Sequence, residues 1–363
     1  MLQCLAGDLY GNAASSTHAF GRAAAAAVLT ARAQVASLVG ALAEQIVFTS
    51  GATESDNLAL FGVMRANADR GRHLITARTE HKAVVDAARR LEKDGFAVSW
   101  LEPDGEGLIC LKQLRAALRA DTQLVSIMHA NNETGVVQNI AALGAICREH
   151  AVLFHSDAAQ SAGVLPIDLK QLPVDLLSLT AHKFYGPKGV GALYVSPRAR
   201  PQLQPLFFGG GHERGLRPGT PATHQLVGFG VAAELASQRA APEAARLQPL
   251  RDNLQRQLLA IPGTLLNGHA QRRLPNLLNL SFAGVMGESL LADIETEVAV
   301  SSGAACDSAT GEPSYVLRAL GRSAQLAQSS LRLSLGRSTT AAELQRAAEV
   351  IERSVLRLRA VAP

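Results

Sequence analysis

Cysteine is scarce and scattered in this 363-residue sequence: four residues, at positions 4, 110, 147 and 306, with no Cys-x-x-Cys pair. That spacing indicates neither a thiolate zinc site nor a disulfide framework, and it makes the cytosol the default compartment. Aromatic residues are only 4%, no basic cluster alternates with them, and the net charge of +4 is mild for the length. A nucleic-acid partner is therefore not indicated. No apolar run is long enough to span a bilayer. The first residues, Met1-Leu-Gln-Cys-Leu-Ala-Gly-Asp8, lack the basic-then-apolar order of a signal peptide. Internal repeats and low-complexity linkers are also missing.

What is plentiful is apolar surface. The sequence is 47% hydrophobic, with Ala and Leu dominant, which favours helix-rich packing around a large core. Its length exceeds what one core usually organises, so two domains are expected, 1–240 and 241–363. Helix patterns at 23–39, 54–67 and 141–150 alternate with strand patterns at 45–49, 73–76, 97–101, 124–128, 151–155 and 174–179. Such alternation predicts an α/β fold with a mostly parallel sheet covered by helices. The run 209–219 is too rich in glycine for regular structure and should be a loop with positive-φ positions. Pro242 is expected to open a long helix over 243–259 that starts the second domain. Strands near 277–282, 298–301 and 331–335 and helices near 287–294 and 341–358 should complete that domain.

Polar groups cluster at the ends of the apolar strands. Lys183 follows the run Val174–Leu179, and Asp157 follows Ala151–His155. Open α/β sheets bind ligands at such carboxyl ends. A lysine able to form an imine, with a carboxylate to hold a pyridinium nitrogen, is the arrangement that pyridoxal phosphate (PLP) chemistry needs. Burial after an apolar strand would lower the lysine pKa and free its amine, although most lysines are solvated surface residues. The turn Ser50-Gly-Ala-Thr-Glu-Ser55 enters a helix, so its backbone N–H groups and Thr53 can hold an anion. An ordinary helix cap fits the same residues. Gln160 lies within reach of a ring hydroxyl, and Thr180 and His182 can donate to a phosphate. His81, at a helix start, and Asn132, at a strand end, read equally as structural residues. Cys306 lies in a small, polar run, Val300-Ser-Ser-Gly-Ala-Ala-Cys306, and its thiol is expected to be exposed and able to move. Arg332 alternates with apolar residues on a strand. An inward arginine needs a partner, and a substrate carboxylate would serve; a partly exposed edge arginine is the alternative.

Several of these stretches together resemble a known family. Gly51-Ala-Thr-Glu-Ser-Asp-Asn57, Thr79-Glu-His-Lys82, Asn131-Asn-Glu-Thr-Gly135, Asp157-Ala-Ala-Gln160, Ala181-His-Lys183, Gly209-Gly-Gly-His-Glu-Arg-Gly215 and Ser301-Ser-Gly-Ala-Ala-Cys306 look like the cysteine desulfurases of the IscS/NifS group, within the class V PLP-dependent aminotransferases. The stretch Glu312-Pro-Ser-Tyr-Val-Leu-Arg-Ala-Leu-Gly321 is especially similar. The resemblance implies the fold type I of PLP-dependent transferases: a large PLP-binding domain with a mostly parallel seven-stranded sheet, plus a smaller α+β C-terminal domain carrying the mobile cysteine loop. It implies that Lys183 holds PLP as an imine and that Asp157 pairs with the ring nitrogen. Gln160 and Asn132 would bond the ring oxygen, and His81 would stack on the ring and assist proton transfer. Ala52, Thr53, Thr180 and His182 would bind the phosphate, and Thr220 would reach the phosphate of the neighbouring subunit in a homodimer.

The implied activity is removal of sulfur from L-cysteine, giving L-alanine and a persulfide on Cys306. Arg332, with Asn132, would bind the substrate. The persulfide would pass to acceptors such as an iron–sulfur scaffold protein, with tRNA thiolation as a further route. Cys306 is also a candidate transient iron–sulfur ligand shared with that scaffold. A cytoplasmic enzyme is expected. Selenocysteine lyase and ordinary class V transamination are the nearest alternatives. Family members carry a strand and an Ala-Thr-Thr-Pro turn upstream of the segment matching Gly11–Ser15, which this sequence does not contain, and many carry a longer C-terminal tail. A poorly active sulfur-transfer platform is the alternative that follows.

Overall fold

The structure, a computed structural model, describes residues 1–7, 9–302 and 312–361. It divides into two compact units, the first comprising 1–101, 111–129 and 139–240, the second 102–110, 130–138 and 241–363.

The first unit is built on seven strands: β1 (Ile46–Thr49), β2 (His73–Ala77), β3 (Ala97–Leu101), β4 (Thr122–Ser126), β5 (Leu153–Asp157), β6 (Leu176–Thr180) and β7 (Gly191–Val195). Their order across the sheet is β1-β7-β6-β5-β4-β2-β3. The pairs β6–β5, β5–β4, β4–β2 and β2–β3 are parallel. Strand β7 runs antiparallel to both β6 and β1, so β1 points the same way as the parallel five. Every residue of β5 and of β6 is buried, as expected of parallel strands covered on both faces. Side chains such as Phe154, Leu176 and Leu177 are fully buried, each contributing roughly 1.5–3 kcal/mol. The helices Ala52–Ala66 and Lys82–Lys93 pack Leu58, Leu60, Val84 and Leu91 with Leu153 and Leu176 in one core cluster.

This topology fixes the location of the chemistry. The carboxyl ends of β1, β2, β5 and β6 all lie along one edge of the sheet, and β7 begins there. Every sequence-predicted polar group of this unit before residue 200 lies at or after one of those ends.

The second unit carries a four-stranded sheet of β8 (Thr264–Leu266), β9 (Leu277–Phe282), β10 (Ser301–Ser302) and β11 (Ser330–Ser334), in the order β10-β11-β9-β8 and antiparallel throughout. Helices Gly287–Ile294 and Ala341–Val361 supply Leu290, Ile294, Ile351 and Val355 to its core.

Pro242 does not open a helix. One helix runs from Thr223 to Leu259 with Pro242 and Pro249 inside it. Each proline removes one intrahelical hydrogen bond, at about 3 kcal/mol, and the surrounding Ala- and Leu-rich sequence keeps the helix going. The 209–219 segment has the expected positive-φ glycines at 209, 210, 215 and 219, and a short 3-10 turn, His212–Gly215, within it.

Candidate active site

The turn between β1 and its helix is shaped for an anion. Gly51 has φ 152° and precedes a helix start that no side chain caps. The nearest atom to a Cβ at Gly51 would be Thr180 Oγ1, at 3.8 Å, so space lies over the turn. Thr49 Oγ1 donates to the Gly51 carbonyl at 3.1 Å, fixing the turn from below. Gly191 allows β7 to pass close behind, since a Cβ there would stand 2.6 Å from Gly51 Cα and 2.5 Å from the Leu179 carbonyl oxygen. An uncapped helix start with no side chain over it presents backbone donors and the positive end of the dipole to a ligand.

Asp157 ends β5 and is 4% exposed. Its Oδ1 accepts from the Ala159 N–H at 2.8 Å. Burial pushes its carboxyl pKa up, while that hydrogen bond and the nearby His81 and Lys183 pull it back toward the charged form. The three predicted residues Asp157, His81 and Lys183 therefore lie within electrostatic reach of one another. Gln160 is half-buried on the turn that follows β5.

Lys183 does not take the buried position expected for it. It lies on the 3-10 turn Ala181–Phe184 that follows β6, and it is exposed. The turn leaves Lys183 and His182 exposed while Ala181 and Phe184 are buried. Thr180, buried at the end of β6, bonds His182 Nδ1 through Oγ1 at 2.9 Å. His182 has its pKa lowered by burial and by the nearby Lys183 and Lys188.

His81 caps the helix Lys82–Lys93, its Nδ1 accepting from the Ala83 N–H at 3.1 Å. With Thr53 it lines an open hollow of about 500 Å³. Thr220 is exposed and lines a separate cavity of about 230 Å³ with Ser50, Arg217 and Gly219.

Asn132 and Arg332 belong to the second unit. Arg332 lies on β11 and donates through Nη1 to the Asn132 carbonyl at 3.0 Å and through Nη2 to Ser301 Oγ at 3.3 Å. Among the described residues, Asn132 Oδ1 and Arg332 Nε are buried without a hydrogen-bond partner. A buried acceptor and a buried cationic donor left in this state are costly unless a ligand completes them. Cys306 lies outside the described residues, and among those residues no three His, Cys, Asp or Glu side chains form a metal cluster.

The structure also brings forward groups that the sequence reading did not select. Asp56, fully buried on the helix Ala52–Ala66, has Oδ1 3.5 Å from His155 Nε2. His155 is held between Ser126 and Ser178 at 2.8 and 2.9 Å. Burial, then Asp157, push the Asp56 carboxyl well above its ordinary pKa, and burial lowers His155 to about 3. Glu80, also fully buried, accepts from the Met128 N–H at 2.8 Å, and burial raises its pKa. Of these carboxyls, Asp157 is the one that the nearby His81 and Lys183 pull toward its charged form. Asp56 and Glu80 each sit inside a recognised motif, but only the helix phase of one and the turn of the other reveal that they point inward.

This donor set fits PLP. The uncapped turn at 51–53 suits a phosphate, the buried Asp157 suits a pyridinium nitrogen, and the exposed Lys183 amine suits an aldehyde.

Comparisons with known proteins agree with that fit. The aminotransferase class-V family matches residues 2–347. A protein of Histophilus somni (strain 129Pt) described as "Cysteine desulfurase IscS" is 54% identical over 354 residues, covering 98% of this chain and 87% of the relative. A solved chain described as a NifS-like protein superposes with a TM-score of 0.91 at 34% identity, covering 98% of this chain and 94% of its own. Another, described as SspA in complex with cysteine, gives 0.80 at 37% identity, covering 92% and 93%. With the seven-stranded sheet and the strand-end site already in place, these matches establish that the chain belongs to the aminotransferase class-V family.

Proposed function

We propose that this chain is a PLP-dependent cysteine desulfurase, converting L-cysteine and the Cys306 thiol into L-alanine and a Cys306 persulfide. The observation that carries this reading is the 54% identity, over 98% of the chain, to a relative described as a cysteine desulfurase. Bound PLP supplies an aldehyde for the substrate amine and a ring that absorbs carbanion charge.

The chain's own residues do the rest. The turn at Ala52 and Thr53, with Thr180 and His182, holds the phosphate. Asp157, buried at the end of β5, would pair with the ring nitrogen and favour its protonated form. Gln160 and Asn132 would hydrogen-bond the ring oxygen through their side-chain amides. Lys183 would hold the aldehyde, and its ε-amine, once free, would serve as the base for the substrate α-proton. His81, fixed by its helix-capping bond, would stack on the cofactor ring and assist proton transfer. Arg332 would take the substrate carboxylate; its Nε has no partner among the described residues, and a carboxylate accepts from a guanidinium fork.

The Cys306 thiolate attacks the substrate sulfur. A sulfur–sulfur bond forms, the substrate carbon–sulfur bond breaks, and the carbon takes up protons to become alanine. The transfer is between two thiols, so no outside oxidant is needed. We assign cofactor binding to residues 1–240 and the cysteine-bearing segment to 241–363. The persulfide goes to an acceptor such as an iron–sulfur scaffold protein, with which Cys306 would share a cluster iron transiently. We place the reaction in the cytoplasm, where thiols stay reduced. Among the described residues no helix is long and apolar enough to cross a membrane.

A homodimer completes the reading, with Thr220 directed to the neighbouring subunit's phosphate. Thr220 is exposed, and Phe207 and Phe208, just before the glycine-rich loop, are 53% and 89% exposed, as expected of an interface. The test is product analysis with L-cysteine alone. Alanine and a protein persulfide should form without any keto acid, and Cys306→Ala should keep PLP while losing sulfur release. A strict keto-acid requirement, or wild-type rates in Cys306→Ala, would overturn the assignment.

A further inference from the structure

One acidic group stands where an anion site should not have one. Glu54 lies in the first turn of the helix Ala52–Ala66, directly after Thr53. A carboxylate there favours the helix dipole but opposes a phosphate at the same helix end. Burial would raise the Glu54 pKa, yet its bonds to Arg217 and Ser50 outweigh burial and hold it below the ordinary value, so the charge is present. Its Oε2 accepts from the Ser50 N–H at 2.8 Å, inside the anion turn itself.

Arg217 answers that charge. Its Nε donates to Glu54 Oε1 at 2.8 Å and its Nη2 to Oε2 at 3.4 Å, with the two side chains 30% and 11% exposed. Arg217 comes from the glycine-rich loop, and that loop is fastened to β1. Arg32 donates to both carboxylate oxygens of Glu213 at 2.6 and 2.7 Å, and the Phe48 N–H donates to Glu213 at 2.9 Å. Glu213 and Arg214 sit at φ 48° and 56°, where L side chains are uncommon, so this loop shape is imposed by its contacts. Arg214 Nη2 adds a bond to the Ile46 carbonyl at 2.7 Å.

We propose that Arg217 is a positioning residue for the cofactor phosphate: it cancels the Glu54 carboxylate at the phosphate helix, and the Arg32–Glu213 pair holds the loop so that it can. The inference rests on the reading that residues 52 and 53 bind the phosphate of PLP. It links phosphate retention to the loop that ends at Thr220, so a shift of that loop would loosen the cofactor in its own subunit.

The test compares binding of PLP with binding of pyridoxal, which lacks the phosphate, to apoprotein of wild type, Arg217→Met, Glu54→Gln and the double variant. Arg217→Met should weaken PLP about three- to thirty-fold, the range of one charge at a helix end, and leave pyridoxal nearly unchanged. Glu54→Gln alone should shift selectivity toward PLP, and in the double variant it should recover most of the loss. A side chain with only a structural role would affect both ligands alike and would not be rescued. Equal loss of both ligands in folded Arg217→Met, or no recovery in the double variant, overturns the inference. Should Arg217→Met fail to fold, Glu54→Gln decides: unchanged or reduced preference for PLP overturns it. A wild type with no preference for PLP over pyridoxal overturns the phosphate reading itself, a result distinct from a preference that the variants leave untouched.

Discussion

Replacing Glu213 separates two energies that oppose each other in the glycine-rich loop. The side chains of Arg32 and Glu213 are 10% and 7% exposed, and breaking such a buried pair by removing one partner costs about 3–5 kcal/mol. Arg32 would keep its bond to the Ile46 carbonyl at 2.8 Å and its place 4.5 Å from the Phe48 ring centre, so the lower end applies. Glu213→Ala should therefore cost about 3 kcal/mol. Glu213→Gly loses the same contacts but relieves a left-handed backbone at φ 48°, ψ 40°. That relief is worth about 1–2 kcal/mol, less about 0.4–1 kcal/mol for the freer unfolded chain. Glycine should thus be more stable than alanine by about 0.5–1 kcal/mol, the reverse of the order inside a helix. Urea unfolding of the apoprotein, followed by circular dichroism, measures both. Alanine equal to or more stable than glycine would refute the strain, and Glu213→Ala within about 1 kcal/mol of wild type would refute the buried pair.

Other consequences can be checked separately. Gly191→Ala drives a Cβ to 2.5 Å from the Leu179 carbonyl oxygen and 2.6 Å from Gly51 Cα, so it should cost about 1–3 kcal/mol and weaken PLP binding together; normal PLP affinity would mean that the close approach does not shape the anion turn. Lys183→Ala should leave no borohydride-stable pyridoxyl group on the protein, whereas wild type should carry it on the peptide containing Lys183. Asp56 has a raised folded pKa, so its stabilisation is complete below the unfolded value near ~3.9 and is lost as pH rises through the folded value. The stability of Asp56→Asn should then gain on wild type between about pH 5 and pH 8, read by urea unfolding at both; a gap that is constant or moves the other way would mean Asp56 is ionised.

Much of the large sheet was legible because buried parallel strands announce themselves as short apolar runs. Strands β3 and β9 and the helix Gly287–Ile294 fall where the pattern places them. Strand β7 was not anticipated. Its run Gly191–Val195 is apolar throughout, but it follows the glycine- and proline-rich stretch 186–189, and alternation of helix and strand gives no reason to expect an antiparallel member with no helix before it. Pro242 misled because a local rule about proline was applied against a segment whose helix propensity extends on both sides. Strand ends reveal Asp157 and Lys183, since polar residues after apolar runs stand out. The exposure of Lys183 was not legible, because it depends on the 3-10 turn after β6. Arg32, Glu213 and Arg217 were equally hidden, as their partners lie 181 and 163 residues away in the sequence.

The most direct test of the account is mass spectrometry of the protein after exposure to L-cysteine. The account predicts one added sulfur, removable by reductant, on the peptide containing Cys306, and none in the Lys183→Ala variant. Alanine released with no sulfur ever found on Cys306, or sulfur found on Cys4, Cys110 or Cys147 instead, would contradict it.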